Sequence, residues 1–112
     1  MTTSSYNFKD GLGPVPAHKH PNGGGWVADT ATVADTAYVG PEAKVYDNAR
    51  VSDNAQVFDY AKVFGNAEVF GDAKVFGNAE VFDNAEVFGD AEVFGNAEVF
   101  GNAWVSGNRT LK

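Results

Sequence analysis

From Val27 to Val105 a valine recurs at every sixth position without a break, through Val33, Val39, Val45 and onward. Four residues after each of these, from Ala31 to Ala103, stands an alanine, and Arg109 is the first departure. The two positions before each alanine are mostly Gly or Asp followed by Asn or Asp, as in Phe64-Gly65-Asn66-Ala67 and Phe76-Gly77-Asn78-Ala79. Six residues turn an α-helix by about 600°, so the valines would wander around its surface instead of forming a stripe. The recurrent Gly and Asn would also cost helix stability in nearly every unit. An extended reading uses every position. Each alanine precedes the next valine by two, so in a strand both side chains face one way, while Glu68 and Phe70 beside Val69 face the other. The Gly-Asn, Gly-Asp and Asp-Asn pairs then supply corners, because Gly and Asn accept positive φ at low cost.

Short strands joined by regular corners make a coil, and only stacking buries the valines and alanines continuously. Three units close a triangular turn of roughly 18 residues, which gives nearly five coils over residues 27–110. At a strand spacing of roughly 4.8 Å the column is about 22 Å tall. The unit Val-x-[Gly/Asp]-[Asn/Asp]-Ala-x resembles the hexapeptide repeat of the left-handed parallel β-helix superfamily, the transferase-hexapeptide type. That resemblance implies an all-β, single-domain, left-handed triangular solenoid, with residues 26–112 as the β-helix and 1–25 as an irregular, capping segment. One position departs from the family pattern: after the valine, where its enzymes often carry Gly, Ala, Glu or Asp, this chain usually has Phe. The chain as a whole resembles short non-catalytic members of the superfamily from phages and bacteria.

Outside the column the period sorts Phe64, Phe82 and Phe100 onto one side, Phe70 and Phe88 onto a second, and Phe58, Phe76 and Phe94 onto a third. Rings one coil apart suit offset stacking. Ladders of this size also exceed the apolar patches of ordinary monomers and are interface candidates. The residues before the valines form a second outward ladder, in which Arg50 faces Glu68, Lys62 faces Glu80 and Lys74 faces Glu92 across coils. Glu68 with Glu86 and Glu80 with Glu98 are like-charged. Corner acids such as Asp47, Asp53, Asp59, Asp72, Asp83 and Asp90 are read as hydrogen-bonding corner residues; a calcium ladder would need six to eight converging oxygens. Tyr60, standing where Asn or Asp is usual, is expected to resist positive φ and bend its corner differently.

Trp26 is placed to cover the bottom of the column, and Trp104, Arg109 and Leu111 are the material for a lid at the top. His18-Lys19-His20 reads as a surface feature, with no Cys in the chain to complete a metal set. Fifteen Asp and Glu against eight Lys and Arg give a net charge of −7, which disfavours a phosphate-backbone partner. The N-terminus shows neither a basic start nor an apolar run, so no signal peptide or membrane span is expected, with a cytoplasmic location by default.

Three functions compete. The superfamily resemblance implies acyltransferases and carbonic anhydrases, which rely on histidines and inserted loops; between Val27 and Thr110 this chain has no histidine and its period is uninterrupted. No catalytic, cofactor or metal residues are therefore assigned. The leading expectation is a structural module, a rigid solenoid that assembles with itself through the Phe ladders or the coil ends, as a trimer or an end-to-end stack. The alternative is a scaffold holding a small molecule, a glycan or a host protein at the side ladders or between subunits.

Overall fold

The structure, a computed structural model, describes residues 5–8, 13–107 and 110–111. Within them the six-residue period becomes short strands, each holding a valine and the residue before it, as in Lys62–Val63, Glu68–Val69 and Lys74–Val75. Strand pairing is parallel and steps by one coil, Val27 facing Val45 and Val45 facing Val63. Three sheets result. The second holds Thr32–Val33, Arg50–Val51, Glu68–Val69, Glu86–Val87 and Trp104–Val105; the third holds Tyr38–Val39, Gln56–Val57, Lys74–Val75, Glu92–Val93 and Thr110–Leu111. No helix is present among the described residues, and none is long and apolar enough to cross a membrane.

The first sheet is the largest, with seven strands. Its repeat strands Lys44–Val45, Lys62–Val63, Glu80–Val81 and Glu98–Val99 rest on β3 (Trp26–Ala28), and below β3 lie β2 (Pro14–Lys19) and β1 (Ser5–Asn7) in antiparallel pairing. The described residues before Trp26 thus include two paired strands, where the Gly and Pro content suggests an irregular segment. Pro14 and Pro16 sit in β2, where their φ suits an extended chain near the sheet's end.

Valine and alanine fill the column. Val27 and every sixth-position valine from Val39 to Val93 is 0% exposed, and so is each repeat alanine from Ala49 to Ala91. A buried valine is worth about 1.5–3 kcal/mol of hydrophobic stabilisation, so the column dominates stability. Coverage thins toward both limits: Val33, on the lowest strand of the second sheet, is only partly buried, Ala97 is partly buried and Ala103 is exposed.

The corners are of two kinds. From Asp47 onward the first corner residue takes positive φ, as at Asp53 (58°), Asp83 (60°) and Gly71 (69°). At the three earlier corners Asp29, Asp35 and Pro41 occupy that place without positive φ, and proline's ring could not adopt it. Tyr60 is a correction to the sequence reading: the left-handed residue of its corner is Asp59 (58°), one position earlier. The second corner position needs no special φ, so a bulky side chain is tolerated, and Tyr60 lies 62% exposed.

Candidate functional site

The phenylalanines face outward and stack coil on coil. Ring centroids are 4.8 Å apart for Phe58 and Phe76, 5.0 Å for Phe76 and Phe94, 4.9 Å for Phe70 and Phe88, and 5.0 Å for Phe64 and Phe82. Interplanar angles of 2° to 7° within these pairs make each side a column of near-parallel rings. Stacking leaves them half-buried, except Phe100, which ends its ladder 54% exposed at 5.4 Å from Phe82.

The first ladder runs further than the phenylalanine pattern alone implies. Tyr46 stacks under Phe64 at 4.9 Å, and Phe8, from outside the repeat, stacks under Tyr46 at 4.7 Å. Phe8 lies where the repeat supplies only Ala28, the residue after Val27, and it is 3% exposed. Tyr6 meets Phe8 edge-on at 4.8 Å and stacks on Trp26 at 4.8 Å. The small residue at position 28 leaves room for that ring.

Trp26 therefore packs against Tyr6 on the outer face of the first sheet, with Lys19 Nζ 5.7 Å from its ring centre, and does not close the bottom of the column. The loop 20–25 covers the third sheet from below instead: Val39 N–H donates to Asn22 O, Gly25 N–H donates to Val39 O, and His20 Nε2 lies 2.8 Å from Ala37 O. His20 is 3% exposed, so it is an internal residue and not a surface one. His18 keeps its surface place, with Nδ1 2.7 Å from Asp29 Oδ1. At the other end Trp104 is 65% exposed on the outward ladder opposite Glu86, and Leu111 fills the valine place above Val93. Trp104 therefore does not fold over the column, whereas Leu111 packs against its top in the place of a valine. Arg109 lies outside the described residues.

The charged ladder has the expected register, Arg50 with Glu68, Lys62 with Glu80 and Lys74 with Glu92. These groups are held near each other by the backbone without closing: among the described residues the one close ion pair is His18 with Asp29. The corner acids divide. Asp47, Asp53, Asp59 and Asp83 each accept from the amide of a glycine one coil on, Gly65, Gly71, Gly77 and Gly101, at 3.0 to 3.1 Å. Asp72 and Asp90 occupy the second corner position. Among the described residues no three His, Asp or Glu side chains converge as a metal ion requires.

Clefts open where the ring ladders stop. One of about 500 Å³ lies between Phe8, Pro16 and the corner residues Asp29, Asp47 and Asn66. A second, about 340 Å³, is bounded by Tyr38, Pro41, Glu42, Gln56, Phe58 and Asp59. A third, about 390 Å³, lies below Phe70, between Arg50, Ser52 and Glu68.

The family model described as YdcK Beta solenoid repeat matches residues 43–59, a stretch holding three strands and two whole corners. The chain is a β-solenoid of hexapeptide-repeat type. No curated protein and no solved structure matches it. The matched stretch ends at Asp59 and so includes Phe58 alone of the eight consecutive Phe-bearing units.

Proposed function

We propose that this solenoid is a non-catalytic structural module that associates with copies of itself side to side through its phenylalanine ladders. The observation that carries the reading is the combination of order and exposure in the rings. Phe58, Phe76 and Phe94 are fixed in a single stack yet only half-buried, so an apolar strip is presented with little entropy left to lose on contact. Rigid aromatic strips of this kind suit the core of an interface. Of the two histidines, His20 is buried and held at Ala37 O, and neither lies in the repeat region that carries the rings.

The test is the double variant Phe76→Ser with Phe94→Ser, measured by sedimentation across protein concentration. The valine column is untouched, so the variant stays folded, and it is expected to sediment as a monomer where the parent associates. A parent that is monomeric at all concentrations, or a variant of unchanged mass, overturns the proposal. A second reading, a binding scaffold, is favoured by the clefts at the ladder ends.

A further inference from the structure

We infer that the cleft beside Phe58 binds a small planar aromatic cation, its ring lying against Phe58 and Tyr38. One rung of the third ladder lacks a ring. In the third ladder Phe94 stacks on Phe76 and Phe76 on Phe58, but the next position down is Gly40. The lower face of Phe58 therefore meets no ring of the repeat. Gly40 is itself buried under the side chains of Phe58 and Tyr38: a Cβ there would lie 3.2 Å from Phe58 Cβ, tighter than side chains ordinarily pack, so the rung has no room for a larger residue of the chain. Beside this covered rung a cleft of about 340 Å³ opens, walled by Phe58, Tyr38 and Pro41. That is room for one ring system with a short substituent.

The first ladder shows what such a place accepts. There the small residue is Ala28, and the chain inserts Phe8 from outside the repeat, stacked on Tyr46 at 4.7 Å. The third ladder has no such insert: the segment that passes below it, residues 20–25, contains no Phe, Tyr or Trp, and the His20 ring is spent on Ala37 O. An aromatic ring from outside the molecule thus finds a site whose counterpart on the neighbouring side is filled by a ring.

The charge of the occupant follows from the rim. Glu42 and Asp59 line the cleft with Gln56, and no Lys, Arg or His does. Asp59 uses Oδ2 to accept from Gly77 N–H, leaving its other oxygen for a ligand. Tyr38 and Phe58 add ring faces that attract a cation, an arrangement the chain uses elsewhere, with Lys44 Nζ 5.9 Å from the Tyr6 ring centre. An amidinium or ammonium on a flat ring satisfies all three features; an aliphatic cation or a neutral ring satisfies only some.

The experiment titrates the parent protein with benzamidine and follows backbone amide resonances, with benzamide and cyclohexanecarboxamidine as probes that lack the charge and the planar ring. Saturable shifts confined to residues 38–42 and 56–59 are expected, with half-saturation at ~1 mM for so small a ligand. Both control probes should bind at least fivefold more weakly. Glu42→Gln, an exposed change that leaves the fold intact, should weaken benzamidine about fivefold, and Phe58→Ala more, while Phe70→Ala leaves it unchanged. No saturation, equal binding of benzamide, indifference to Glu42→Gln, or shifts centred elsewhere overturns the inference. So does movement of the same resonances on raising protein concentration alone, which would assign the cleft to a ring of a second copy. The titration is run where sedimentation shows a monomer, so its outcome is separate from that of side-to-side association.

Discussion

A single corner aspartate shows how residue choice is set by the coil beneath and the coil above. Asp53 holds a φ of 58°, which costs most residues about 1–2 kcal/mol, and its carboxylate accepts from Gly71 N–H at 3.0 Å. Each of the four left-handed aspartates stands one coil below a glycine, where the amide is approachable because no side chain crowds it. Three substitutions separate the two effects. Asp53→Ala keeps the strained φ and removes the acceptor, and is expected to cost about 1–2 kcal/mol in urea unfolding. Asp53→Gly loses the bond but relieves φ, and should fall within about 0.5 kcal/mol of the parent; Asp53→Asn, which keeps an acceptor and tolerates the left-handed region, should do the same. Equal losses for Ala and Gly would show that backbone conformation plays no part. The sequence made this partly legible. Gly or Asp before Asn announced a corner, yet which of the two residues carries positive φ was not readable from Gly65-Asn66, since either tolerates it. Asp59-Tyr60 decides the matter, because tyrosine cannot take the left-handed place.

At the scale of elements, the N-terminal hairpin is where sequence pattern ran out. Strand, corner and coil length followed from a period repeated many times, but β1 and β2 occur once and carry no repeat to average over. Their role comes from a ring docking across sequence: Phe8 buries itself on Tyr46 and Ala28 while β2 pairs with β3. Phe8→Ala should cost about 3–5 kcal/mol of the hairpin's docking, the range for a buried phenylalanine. Because each solenoid coil leans mainly on its neighbours, that loss should stay local. The expected outcome is loss of amide protection in residues 5–8 and 14–19 with protection in residues 57–87 retained, read by hydrogen exchange. Global loss of protection would mean the hairpin is needed to nucleate the solenoid. The loop 20–25 belongs to this same problem: His20 and Asn22 both reach Ala37 O, a contact set by where the chain passes and not by any local motif.

At the scale of the molecule, stability is a stack of coils whose interior is one residue wide on each side. Val75 sits in the middle, 0% exposed, with Val57 below and Val93 above. Val75→Asp forfeits about 1.5–3 kcal/mol of burial and adds an unpaired carboxylate with no water and no partner, a larger cost. Against a total stability of about 5–15 kcal/mol for a domain of ordinary size, that change should abolish cooperative unfolding or split it into two weaker transitions. Val33→Asp is the instructive contrast. Val33 belongs to the lowest strand of the second sheet and is only partly buried, so its carboxylate can reach water by a small displacement of one strand. It should lower the urea midpoint while leaving one transition. If both aspartates proved equally damaging, the column would be behaving as a single indivisible core; if both were mild, valine would not be what holds the coils together.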